Sequence, residues 1–165
     1  MSEHSLSRAA VKIERMFDAP VELVWQMWTD PEHLTAWYGP DGATVTVAKM
    51  DVRVGGTRLI AMDVQTPNGP MRMWLTGEYR DVVEHRRLVY TDARADEHGN
   101  VLTPDELGIP DHPTITEVAV EFEEHGNRTR MIMTHTGVPA DSPGAAAWNT
   151  AFDKLSGHIA AGNKI

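Results

Sequence analysis

The sequence predicts an α+β protein, a curved antiparallel sheet of about six or seven strands with helices packed on one face. Three observations lead there. Trp148, Phe152, Leu155 and Ile159 recur at i, i+4, i+7 and i+11, so a helix from Ser142 to Ala161 carries one apolar stripe. Ahead of it runs a series of alternating, β-branched segments separated by turn residues, the pattern of consecutive hairpins and hence of antiparallel pairing. Two short helical patterns follow the first strand. A long helix after a sheet has one place for its stripe, across the sheet face. Large side chains holding the two layers apart would leave a cavity.

Each element has its own signal. Residues 1–9 read as a flexible polar arm, and 10–165 as a single domain. Val11, Ile13 and Phe17 mark a strand, with Lys12 and Glu14 on its other face. Pro20 opens a helix carrying Val21, Val24, Trp25 and Trp28. Asp30-Pro31-Glu32 is an N-cap, proline and first-turn acid, so a second helix starts there with Leu34 and Trp37. After a turn at Tyr38–Gly42 come strands over Thr44–Val54, Arg58–Val64, Met71–Arg80 and Leu88–Asp92, with turns at Gly55-Gly56 and Thr66–Gly69. The polar stretch Ala93–Pro113 is long for a connection, and such loops often shape binding sites.

The last two strands are the clearest. Thr116, Val118, Val120 and Phe122 share an apolar face, opposite Glu117, Glu121 and Glu123. A two-residue turn at Gly126-Asn127 sets Phe122 against Met131, Val120 against Met133 and Val118 against His135. The closing helix starts at Ser142-Pro143, an N-cap and N1 pair.

Composition excludes several functions. Net charge is −9 with no clustered Lys or Arg, which argues against nucleic acid as a partner. The chain has no cysteine, so a thiolate nucleophile or disulfide framework is impossible. The first residues lack signal-peptide blocks and no apolar run approaches a membrane span, so we expect a cytoplasmic protein without membrane insertion. No cofactor motif is present: Gly55-Gly56 lacks the helix that follows a phosphate loop. His98 and His112, with Asp96, Asp105 and Asp111, match no zinc spacing, and no metal is expected.

Several motifs together resemble a known family. They are Phe17-Asp18-Ala19-Pro20, Trp28-Thr29-Asp30-Pro31, Trp37-Tyr38-Gly39-Pro40, Asp51–Gly56, Gly77-Glu78-Tyr79, Arg87–Thr91 and Thr134–Pro139, closed by the tryptophan-led helix. The chain resembles the SRPBCC or START-like superfamily, and within it the family named after the activator of a heat-shock-protein ATPase. The resemblance implies a helix-grip fold of the START-like or Bet v-like kind, whose sheet wraps the C-terminal helix around a cavity. It implies little about activity, since fold does not fix function. The co-chaperone behind the family name depends partly on a further domain, so its activity is not carried over.

Candidate site residues follow from the cavity. Met62, Val118, Val120, Phe122, Met131, Met133, Trp148 and Phe152 are expected to line it, the methionines as a deformable wall or as plain core. His135 lies on an otherwise apolar face, where it can orient a ligand, act as acid/base or be satisfied by a neighbour. Asp63, Glu78 and Asp92 are the strand-borne carboxylates that could join it. Trp74 and Glu78 share one face of their strand and Met71, Met73, Leu75 and Tyr79 the other. Both faces hold apolar residues, so either could line the cavity. If the former looks inward, Trp74 is a ligand contact and Glu78 a second catalytic candidate. A Ser142-His135-Asp141 triad lacks a nucleophile elbow and is discounted. The leading expectation is a non-enzymatic binder of a small hydrophobic molecule, with room for a homodimer. The alternatives are a cofactor-independent cyclase or dehydratase using His135 and a chaperone-type interaction module.

Overall fold

The computed structural model describes residues 9–40, 42–108 and 113–162; the expected arm lies outside the described residues but for Ala9. The elements are β1 (Ala10–Phe17), α1 (Val21–Thr29), α2 (Pro31–Trp37), β2 (Thr44–Met50), β3 (Thr57–Thr66), β4 (Gly69–Val83), β5 (Arg87–Ala95), β6 (Thr116–His125), β7 (Arg128–Thr136) and α3 (Pro143–Gly162). All seven strands form one antiparallel sheet in the order β1-β7-β6-β5-β4-β3-β2. This is the expected helix-grip arrangement.

Local chemistry sets the boundaries. Pro20 stands at the N-cap of α1 rather than inside its first turn. The Asp30 carboxylate accepts from the Glu32 N–H at 3.0 Å, the cap read from the sequence. The Ser142 hydroxyl instead donates to the Pro139 carbonyl at 2.6 Å, so it ties the turn before α3 together. β2 ends at Met50, short of the expected Val54, because the chain turns through Gly55-Gly56 to meet β4. There the Gly55 N–H donates to the Tyr79 carbonyl and the Tyr79 N–H to the Gly56 carbonyl. β6 and β7 pair in the expected register, Phe122 with Met131, Val120 with Met133 and Val118 with His135. On the outer face of that region Arg130 bridges Glu14 of β1 and Glu123 of β6.

The inner faces of β1, β6 and β7 meet α1, α2 and α3 in a dense core. Val118, Val120, Met131, Met133, Phe152 and Leu155 are all fully buried. Trp28 joins the layers. Its ring stacks on Trp148 at 6.0 Å between centroids, meets Trp37 edge-on at 4.8 Å and lies 6.1 Å from Phe152. Burial of each such side chain contributes about 1.5–3 kcal/mol.

Candidate ligand pocket

Alternation along β4 decides which of its faces looks inward. Tyr79 is 1% exposed, and Leu75 and Met73 pair with the buried Ile60 and Met62 of β3. Trp74 and Glu78 therefore point to the convex face. Trp74 is half-buried there with the Arg72 guanidinium over its ring, and Glu78 is exposed. Neither is an interior group, so the conditional reading that made Trp74 a ligand contact and Glu78 a second catalytic candidate does not hold, and the face of Met73, Leu75 and Tyr79 is the inner one. Asp63 also faces out, paired with Arg72 at 2.7 Å.

The space also lies elsewhere than expected. Val118, Val120, Met131, Met133 and Phe152 belong to the core and border neither of the two pockets beside His135, and Phe122 borders instead a surface pocket with Val21 and Glu84–Arg86. The space between sheet and α3 lies toward the first half of α3 and strands β3–β5. One pocket, of about 220 Å³, is walled by Tyr38–Pro40, Met62, Leu75, Val138, Ala147, Trp148 and Ala151. A second, of about 230 Å³, lies under the loop after β5, against Leu102, Pro104, Leu107 and Pro113. The two share Leu75, Asp92, His135 and Val138, so one partition carrying two polar residues separates them. Of the residues expected to contact a ligand, Met62, His135 and Trp148 line the first pocket.

His135 is 7% exposed and held at both ring nitrogens. The Trp148 indole N–H donates to Nδ1 at 2.9 Å. Indole only donates, so Nδ1 carries no proton and the imidazole is the neutral Nε2–H tautomer. Nε2 then donates to the Thr116 hydroxyl at 2.7 Å, and that hydroxyl donates to the Asp92 main-chain carbonyl at 3.2 Å. The relay ties α3 to β7, β6 and β5 across the partition. Gly137 supports it, for a Cβ there would lie 2.8 Å from Thr116 Cγ2 and the backbone has φ of +99°. We expect His135→Leu to lower unfolding free energy in urea by roughly 1–3 kcal/mol, because the buried Trp148 N–H loses its acceptor and the Thr116 hydroxyl loses a donor. An unchanged midpoint would show that the relay carries no stability.

Beside the relay lies a cluster of which sequence reasoning names only Asp92. Arg58 is 3% exposed, and its guanidinium carbon sits 3.8 Å from the Tyr90 ring centroid, with Tyr38 at 5.5 Å and Tyr79 at 5.9 Å. Its Nε and Nη1, and the Tyr79 hydroxyl, have no hydrogen-bond partner among the described residues. The Tyr38 and Tyr90 hydroxyls are 2.6 Å apart, and burial holds both above the usual phenol range, so they stay neutral. Asp92 shares the inner face of β5 with Leu88 and Tyr90. Burial pushes its carboxyl above the usual carboxylate range, while Arg58 and then Arg94 pull it back. Of the three carboxylates that the sequence offers beside His135, Asp92 is the one that lines its pockets, and Leu88, Tyr90, Asp92 and Arg94 keep the inward phase of the strand. Arg58 keeps the phase of Ile60 and Met62, but Leu59 and Ala61 blur that alternation.

Among the described residues no group of three or more His, Cys, Asp or Glu is placed to hold a metal ion. Asp111 and His112 lie outside the described residues. No described helix is long and apolar enough to cross a membrane.

The sequence pattern of one family, described as "Activator of Hsp90 ATPase homolog 1-like protein", matches residues 18–160. Among solved structures the chain is similar to a protein from Arthrobacter aurescens, at 26% identity and TM-score 0.76 over 94% of this chain and 88% of that one. It is also similar to a protein from Mycobacterium smegmatis, at 27% identity and TM-score 0.74 over 93% and 92%. An AHSA1 protein from Silicibacter pomeroyi, at 20% identity and TM-score 0.71 over 92% and 98%, shares the fold. No curated protein matches the chain.

Proposed function

The chain belongs to the Activator of Hsp90 ATPase homolog 1-like family, and from that premise we propose that it binds a small, largely apolar molecule between the first half of α3 and strands β3–β5. The observation that carries this reading is the pocket of about 220 Å³ with apolar walls and only a few polar groups. Binding sites for small molecules have that character, apolar burial for affinity and a few polar groups for orientation. An apolar cavity of about 150 Å³ already holds benzene, so the volume suits a ring system or a short chain. The flat face of Trp148, fixed by Trp28 behind it and by His135 at its N–H, gives such a guest a rigid wall.

The hydrogen bonds of His135 speak against the acid/base alternative. Its Nδ1 can take a proton from a substrate only by releasing the Trp148 indole, and its Nε2 proton is engaged by Thr116. The histidine acts here as a brace for the pocket wall. The interaction-module alternative would be favoured by a continuous exposed apolar patch, and among the described residues the large exposed apolar side chains are Met16 on β1, Met71 and Val83 at opposite ends of β4, and Val54, Val101 and Ile115 between strands.

Native mass spectrometry of the protein purified from its own cells is expected to show a co-purifying small molecule. Ala147→Phe, which fills the pocket from a half-buried position on α3, is expected to lose that molecule while unfolding within a few degrees of the parent. Retention of the molecule by a folded Ala147→Phe protein would place its site elsewhere.

A further inference from the structure

We propose that Asp92 anchors the polar end of the guest, and that the guest is an uncharged molecule whose apolar body carries a hydroxyl donating to this carboxylate. The inference rests on the binding reading above and adds the chemistry of the guest.

Three observations carry it. Asp92 borders both interior pockets, so its side chain stands at their junction. No described residue donates a hydrogen bond to its carboxyl group; Thr116 bonds the main-chain carbonyl of the same residue instead. A half-buried carboxylate that accepts nothing from the described residues has an acceptor to offer a ligand. Third, two guanidinium groups, Arg58 and Arg94, act on it from the same inner face and favour its ionised form against the cost of burial. Arg58 is held by the three tyrosines rather than by a direct ion pair with Asp92, which leaves the carboxylate oxygens open to the pocket.

The charge balance selects the donor. The cluster already holds two cations and one anion, so a guest ammonium would bring a third cation into a site of low dielectric. A guest carboxylate would meet Asp92 directly. A neutral hydroxyl gains a charge-assisted hydrogen bond and adds no charge.

Titration calorimetry with four naphthalene probes of equal body tests this. 2-Naphthol is expected to bind the parent protein at least about tenfold more tightly than 2-methoxynaphthalene, which cannot donate. 2-Naphthoate and 2-naphthylmethylammonium are expected to bind more weakly than 2-naphthol. The naphthol preference should vanish in Asp92→Leu and shrink to a few-fold in Asp92→Asn. Thermal unfolding of both variants is measured alongside, because removing the carboxylate leaves the Arg58 and Arg94 guanidinium groups without it, and affinities are compared on protein that is folded at the titration temperature. Lost binding then reports on recognition, not on unfolding. Equal affinity for 2-naphthol and its methyl ether would overturn the anchor and leave the binding reading standing. A preference that survives Asp92→Leu would do the same. Failure of every probe to bind would remove both.

Discussion

Trp28→Ala is expected to lower the unfolding free energy by roughly 3–5 kcal/mol, the range for truncating a buried aromatic. For a domain whose whole stability is about 5–15 kcal/mol, that is a large share. Trp28 is 1% exposed and touches the rings of Trp37, Tyr38, Trp148 and Phe152. Its indole N–H also points to the Met131 sulfur at 3.3 Å, so the residue joins α1, α2, α3 and β7. No single neighbour can collapse into the gap, because each is fixed by another contact. Trp148, for example, is pinned by His135. The pocket should suffer as well: Trp148 loses the ring behind it, and affinity for an apolar probe should fall although Trp28 lines neither pocket. Trp74→Ala is the control, since that ring sits half-buried on the convex face and lies outside the core. Denaturant unfolding of both variants decides the matter. Comparable losses would mean that the two faces of the sheet do not differ as described.

The contrast between these tryptophans marks where sequence reasoning succeeds and fails. Trp28 shares its helical face with Val24 and Trp25, so its burial is legible from spacing alone. Register in the β6–β7 hairpin was legible for a similar reason: a two-residue turn with apolar residues on one face allows a single pairing. Trp74 belongs to a strand with apolar residues on both faces, where period two gives no answer. Its face was settled by the partner strand, through the pairing of Ile60 with Leu75 and Met62 with Met73. That pairing involves no local signal.

The site was less legible than the fold. Large apolar residues in the right phase, such as Phe122, Met131 and Phe152, looked like a cavity wall, yet their size is what fills the space. The actual pocket borders small residues, Gly144, Ala147 and Ala151 on α3, which leave room because they reach less far. Hollows are read from what is missing at a position, and a hydrophobic pattern records only what is present. The alternation along β7 places His135 on the buried face, where it is 7% exposed, while its engagement by Trp148 and Thr116 depends on tertiary placement.

Gly77→Ala is expected to cost roughly 3 kcal/mol, at the upper end for an overpacked interior. A Cβ at this position would lie 1.9 Å from the carbonyl oxygen of Thr91, a main-chain atom of the neighbouring strand that cannot rotate away. Strands β4 and β5 approach closely there, and the Glu78 N–H donates to the Thr91 hydroxyl rather than to a main-chain carbonyl. The close approach sits between the Thr76–Ala93 and Tyr79–Tyr90 pairs and opposite Arg58 on β3. Parting the strands to admit a methyl group would therefore shift Asp92 relative to Arg58, and we expect binding to weaken together with stability. Gly157→Ala supplies the opposite case, because a Cβ in that helical position meets nothing within 4 Å and alanine is favoured over glycine there by up to about 1 kcal/mol. Thermal unfolding of the two variants should thus move in opposite directions. A Gly77→Ala protein as stable as its parent would show that β4 and β5 yield freely at this point, and the rigid placement of Asp92 beneath the pocket would have to be abandoned.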